Sequence, residues 1–197
     1  MKNKSKREFL KSIRSAGVFL AGANLPVWAI NTSAIAASSG SSYKLLQPDQ
    51  NGLRLLKGFT SRIIATTGKK PFSGSSYKWH RNPDGGATFP TEDGGWIYVS
   101  NSEADSGGVG AIRFNSKAEI VKSYSICRGT STNCAGGPTP WNTWLTCEEH
   151  RYGYTWECDP YGIKPAERIQ PLGMFTHEAA AVDPKTSIIY QTEDTKR

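Results

Sequence analysis

Apolar and polar positions alternate along this chain in short runs, and breaks rich in glycine, proline and aspartate separate them. Alternation with period two over such runs predicts β-strands. Eight segments carry the signal: Arg62–Thr67, Trp96–Ser100, Ala111–Asn115, Glu119–Ile126, Trp141–Cys147, Tyr154–Cys158, Ala179–Asp183 and Ile188–Thr192. The breaks hold Asp84-Gly85-Gly86, Asp93-Gly94-Gly95, Ser106-Gly107-Gly108, Gly136-Gly137-Pro138, Asp159-Pro160-Tyr161-Gly162 and Asp183-Pro184-Lys185-Thr186. These residues supply the positive or fixed φ that tight turns need. No long apolar stripe of period 3.6 appears, which excludes a helical bundle or a coiled coil. An all-β chain of this kind is expected to form a sandwich, a barrel or a propeller. The hairpin cadence of Trp96–Asn115 and Ala179–Thr192 favours a β-propeller. A blade takes about four strands and a ring at least about four blades. Eight strands fill roughly two blades, so the expectation is the N-terminal part of a larger propeller.

Composition agrees with this reading. The 197 residues suit one ordinary domain or a piece of a larger one, and they include 20 Gly, 11 Pro, 6 Trp, 8 Tyr and 7 Phe. The net charge of +7 belongs almost wholly to the first residues. From Ala37 onward there are 18 basic against 16 acidic residues, which argues against a nucleic-acid-binding domain. No stretch of about eighteen apolar residues exists to form a permanent membrane span.

Residues 1–36 read as a signal peptide. Lys2, Lys4, Lys6, Arg7, Lys11 and Arg14 form a positive start, Ala16–Ala23 a short apolar region, and Ala34-Ile35-Ala36 a cleavage pattern. The segment Ser5-Lys6-Arg7-Glu8-Phe9-Leu10-Lys11 is similar to the twin-arginine export motif, with Lys6 in place of the first arginine. It predicts a periplasmic or secreted protein carried by the twin-arginine export machinery, with a general secretory signal as the alternative. Residues 37–52 are then a Ser-rich linker and 53–197 the folded part.

The densest chemistry lies in Asn133–His150. Gly136-Gly137-Pro138-Thr139-Pro140 forces an extended backbone. Alternation through Trp141–Thr146 places Cys147 and Glu149 on one face and Glu148 on the other. A thiolate with carboxylates at a strand's end can bind a metal ion, sulfur favouring iron or zinc and oxygen favouring calcium. A buried free cysteine beside solvated acids fits the same spacing. Further acids or amides follow other strand signals: His177-Glu178, Glu193-Asp194, and Asn101-Ser102-Glu103 after Trp96–Ser100. In a propeller such strand ends can converge on a central channel. The four cysteines, 127, 134, 147 and 158, allow three pairings into two disulfides, or one disulfide if Cys147 holds a metal. His80 and His150 stand isolated and read as structural or surface residues. No nucleophile elbow, phosphate-binding loop or dinucleotide fingerprint is present.

The runs Asp93–Glu103, Asn133–Glu149, Gly173–Ala180 and Tyr190–Asp194, taken together, resemble the PhoX-type alkaline phosphatases, a bacterial family of exported six-bladed β-propellers. The resemblance implies a phosphomonoesterase acting on small phosphomonoester substrates, with Fe3+ and Ca2+ in the central channel clamping the phosphate oxygens. By motif position it implies Cys147 as an iron ligand and Glu178 as a bridging carboxylate, these two being the catalytic candidates. Glu149, Glu148, Glu193 and Asn101 are candidates for the calcium or substrate shell. In the family, further ligands and a substrate-contacting arginine lie in the C-terminal half, so the chain alone is expected to hold an incomplete site. The alternatives are a non-enzymatic calcium-binding propeller and a propeller lactone hydrolase.

Overall fold

The computed structural model describes residues 44–195, so the predicted signal peptide 1–36 and the first part of the linker lie outside the described residues. The chain divides into two compact units at Arg62/Ile63. The described part of the first, 44–62, is irregular. Its turn is held by Asp49, whose carboxylate accepts the N–H groups of Asn51 and Leu53 and the Ser61 hydroxyl. The second unit is all-β, with one short 3-10 turn at Gln170–Leu172, and no described helix is long and apolar enough to cross a membrane.

Three antiparallel sheets make up this second unit. Sheet 1 is the meander β1 (Pro83–Pro90), β2 (Trp96–Ser102), β3 (Gly108–Phe114) and β4 (Ile120–Cys127). Sheet 2 is the meander β5 (Asn133–Pro138), β6 (Trp144–Glu148), β7 (Thr155–Cys158) and β8 (Glu167–Arg168). Sheet 3 pairs β9 (His177–Val182) with β10 (Ile189–Glu193). The sheets do not close on one another into a ring.

Side-chain alternation stacks the sheets face to face. Ile97, Val99, Val109 and Ala111 point from sheet 1 into a core that Trp144 and Cys158 of sheet 2 complete. The intervening positions, Tyr98, Ile112 and Phe114, pack with Trp79 on the opposite face. On β6 the same alternation sends Leu145 and Cys147 against Ala180, Val182 and Ile189 of sheet 3. β6 thus has packed neighbours on both of its faces and is buried throughout.

Most turn predictions hold. Asp159 accepts the N–H groups of Tyr161, Ile163 and Lys164, and Asp183 those of Lys185 and the Thr186 hydroxyl, each pinning the predicted break. Three strand readings change. Arg62–Thr67 contains no strand. The segment Trp141–Cys147 begins its strand only at Trp144, because Thr139 to Thr143 form a turn with Asn142 at φ 64°. β1 and β5 run through the glycine and proline stretches that local chemistry marks as breaks.

The glycines of β1 and β5 have a different purpose from turning the chain. The first strands of the three sheets lie side by side, β1 against β5 and β5 against β9. A Cβ on Gly85 would sit 2.7 Å from Cα of Ala135, and one on Gly137 would sit 1.9 Å from the Ala180 carbonyl oxygen. These strands therefore approach backbone to backbone, and only glycine fits. Gly137→Ala is expected to force β5 off β9 and cost about 3 kcal/mol in urea unfolding, the upper end of ordinary overpacking. Gly129→Ala, at φ 75° but with open space around it, should cost only the backbone strain of about 1 kcal/mol. Equal losses at the two positions would contradict this close approach.

Candidate metal centre

One local device occurs three times. In each sheet the first strand carries a β-bulge where two residues face one on the second strand. Asp84 and Gly85 lie between the pairs Pro83–Ser102 and Gly86–Ser100, opposite Asn101. Cys134 and Ala135 lie between Asn133–Glu148 and Gly136–Thr146, opposite Cys147. Glu178 and Ala179 lie between His177–Glu193 and Ala180–Gln191, opposite Thr192. A bulge re-aims the side chain it carries. Here the re-aimed residues are Asp84, Cys134 and Glu178.

A second feature repeats with it. The residue after each second strand is an acid, and its N–H bonds the carbonyl of the residue two before the bulge. Glu103 donates to Asn82 at 2.9 Å, Glu149 to Thr132 at 2.9 Å and Asp194 to Thr176 at 3.2 Å. These bonds hold Glu103, Glu149 and Asp194 beside the bulges. The result is a set of six thiol and carboxyl groups brought from three sheets.

Five of them, counting Cys134 itself, converge on its thiol, and Asp194 hydrogen-bonds Glu149. The ligand atoms of Asp84, Glu103 and Cys134 lie within 4.8 Å of one another, as do those of Cys134, Glu149 and Glu178. The Cys134 thiol is 4.0 Å from Asp84 Oδ2 and 3.5 Å from Glu178 Oε1, so it belongs to both groups. The electrostatics are those of crowded anions. Burial first, then the charges of Asp84 and Glu178 and contacts with Glu149, push the Cys134 thiol far above its ordinary value. Burial, hydrogen bonds with Asp194 and Glu103 and the charge of Glu178 raise Glu149 to about 6, against an opposing hydrogen bond from Cys134.

The residues singled out from sequence fall into separate groups. Glu178 and Glu149 are in the cluster. Cys147 is not: it is fully buried on the sheet 3 face of β6, 3.7 Å from Thr155 Oγ1, with its thiol pushed up to about 11 by burial. The expected pairing of Cys147 with Glu149 on one strand face fails because β6 ends at Glu148 and Glu149 leaves the alternation to bond Thr132. Glu148 is committed elsewhere. Its carboxylate accepts the N–H groups of Ser131 and Tyr154 and the Trp156 indole N–H, bracing the loop that follows. Glu193 is exposed at the end of β10, opposite His177, and its neighbour Asp194 takes the cluster-side position.

Asn101 is saturated rather than available. Its Nδ2 donates to the carbonyls of Cys134 and Ala135 at 2.7 and 2.8 Å, and its Oδ1 accepts from Trp144 Nε1 and Thr146 Oγ1, both at 2.9 Å. It leaves no capacity for a metal, but it fixes the backbone of the Cys134 bulge from the neighbouring sheet. His177 is fully buried, with Gln191 Nε2 donating to its Nδ1 at 2.8 Å and its ring stacked on Phe175 at 3.6 Å, and it anchors the strand beside Glu178. His80 lies between Tyr77 Oη at 2.9 Å and Ser100 Oγ at 3.3 Å, and His150 is 3.6 Å from Glu148.

Asp84 and Cys134 escaped the strand-based reading, whereas Glu103 and Asp194 fell within its strand-end clusters without being taken as ligands. A signal for the bulge residues does exist: an acid or cysteine followed by two small residues, in Asp84-Gly85-Gly86, Cys134-Ala135-Gly136 and Glu178-Ala179-Ala180. The three lie 50 and 44 residues apart, the spacing of an internal repeat.

Without cations the cluster is a store of repulsion. Glu149 keeps its proton to about pH 6, so the stability it lends is present below the usual carboxylate range and is lost as pH rises through about 6. Bound cations reverse this, because they favour the ionised ligands and release protons. The melting temperature with chelator should therefore fall from about pH 5 to about pH 7.5, while the gain on adding calcium or iron should grow over the same interval. Glu149→Gln should flatten both trends. Parallel curves with and without cations would rule out a cation site at Glu149.

Residues 106–151 and 148–197 match the family model described as alkaline phosphatase PhoX. No curated protein and no solved structure matches the chain.

Proposed function

We propose, since residues 106–197 match the PhoX alkaline phosphatase family model, that this protein is a metal-dependent phosphomonoesterase of that family whose cations are held by the Cys134 cluster. The observation that carries the reading is the convergence of one thiol and four carboxyl groups from equivalent positions in three sheets, with Asp194 beside Glu149. The donor set fits both ions implied by the family resemblance. Cys134 with Glu178 and Glu149 suits iron, and the oxygen-rich Asp84 and Glu103 suit calcium. When bound, such cations neutralise and polarise phosphate oxygens and activate an oxygen nucleophile.

The chain's own residues prepare that chemistry. A phosphomonoester is a dianion and would be repelled by the bare cluster, so substrate binding requires the cations to invert the local charge. The bulges hold the ligand side chains in fixed directions, and Asn101 locks the bulge that presents Cys134. Preorganisation of this sort is the main contribution a protein makes to such a site. The two four-stranded meanders and the β9–β10 pair are read as successive blades of a propeller. This is supported by the side-by-side first strands, which line the inner edge of each sheet. The leader at residues 1–36 supports export through the twin-arginine route to the periplasm or beyond.

Release of phosphate from an aryl phosphate, assayed with iron and calcium, tests the proposal. Chelation and Cys134→Ala are each expected to lower the rate by about 100-fold or more. Cys147→Ala should lower the melting temperature but leave the dependence on added cations intact. Hydrolysis indifferent to both chelation and Cys134→Ala would sink the reading. Tight calcium binding with no turnover of any phosphoester would favour a non-enzymatic binding module instead.

A further inference from the structure

Four buried cysteines have separate surroundings. Cys134 faces the carboxylates, and Cys147 faces the Thr155 hydroxyl. Cys127 and Cys158 face each other. Both lie in one core cluster between sheets 1 and 2, and their thiols interact.

The local structure explains how they meet. Cys127 is the last residue of β4 and pairs with Val109, while Ser125 pairs with Gly110, so Ile126 is bulged between them. The bulge turns Ile126 and Cys127 both into the core, where strict alternation would bury only one. Cys158 is the last residue of β7, opposite Trp144. The chain that follows it lies against β4: Tyr124 Oη donates to the Pro160 carbonyl at 2.7 Å, and a Cβ on Gly162 would come within 2.9 Å of the Tyr124 ring. Two thiols in an apolar core exchange only a weak hydrogen bond, and no part of the metal centre uses them.

We propose that Cys127 and Cys158 form a disulfide that covalently joins sheet 1 to sheet 2. This inference is independent of the phosphatase reading. The two thiols lose two protons and two electrons as the sulfur–sulfur bond forms. An exchangeable disulfide, such as oxidised glutathione or a thiol–disulfide oxidoreductase, accepts both and is released as two thiols. Because both sulfurs are buried, the exchange takes place while the chain folds, before the core closes over them. The cross-link closes a loop that contains β5, β6 and β7, and with them Cys134 and Glu149.

The full chain, folded in a glutathione redox buffer, denatured, alkylated and digested, gives the test. The peptides of Cys127 and Cys158 are expected to be joined, with Cys134 and Cys147 alkylated. The melting temperature of the oxidised protein should exceed that of the reduced protein by on the order of 10 °C. That difference should vanish in the double variant Cys127→Ala, Cys158→Ala. Alkylation of both residues in the oxidised, folded protein would overturn the proposal, and so would linkage of either one to Cys134 or Cys147. Peptide mapping needs no variant, so a double variant that fails to fold leaves the result decisive.

Discussion

The backbone bond that ties the end of each second strand to the start of each first strand is the constraint on which the site depends. Glu103 to Asn82, Glu149 to Thr132 and Asp194 to Thr176 close the same corner in three sheets. Each corner leaves one residue too many on the first strand, and the excess appears as a bulge at Asp84, Cys134 or Glu178. A regular ladder would alternate these residues into the stacked faces, where Ile97, Leu145 and their neighbours leave no room for charge. The bulge takes them out of the ladder and directs them along the inner edge.

Two consequences follow for packing. The inner strands must approach closely enough for residues 50 and 44 positions apart to share one set of ligand atoms. Glycine at 85 and 137 allows that approach. The same closeness leaves polar backbone atoms near the core, and Asn101 meets that demand by saturating the carbonyls at Cys134 and Ala135. Fold and site therefore share residues. Asn101, on sheet 1, positions Cys134 on sheet 2 by binding its backbone carbonyl rather than its thiol.

Much of the architecture was legible in the chain because β2, β3, β4 and β7 fall on segments with strand signals and Asp93, Asp159 and Asp183 mark turns. The inner strands were not. Gly85-Gly86 and Gly136-Gly137-Pro138 carry the composition of turns, since residues chosen for close backbone approach and residues chosen for positive φ are both glycine. The site reading suffered from that confusion. With β5 read as a break, Cys134 had no strand to present it, and Cys147, followed by Glu148 and Glu149, became the candidate ligand. Strand periodicity then assigned Glu149 to the face of Cys147, although the strand ends one residue earlier. Glu178 was identified by its motif position in the family resemblance, and Glu149 by its nearness in sequence to Cys147, so neither depended on finding β5.

The crowding of acids around Cys134 links folding to cation binding. Groups that raise one another's proton affinity oppose the folded state when ionised, and a cation that they share removes this opposition. Whatever binds the folded state alone stabilises it in proportion to the logarithm of its concentration. The corner bonds, the Asn101 clamp and the glycine contacts therefore work in one direction, holding the donors together against their repulsion. Cations at the proposed site would work in the same direction. A site organised in this way gains affinity from the stiffness of its sheets, because the donors have already been brought together when the cation arrives.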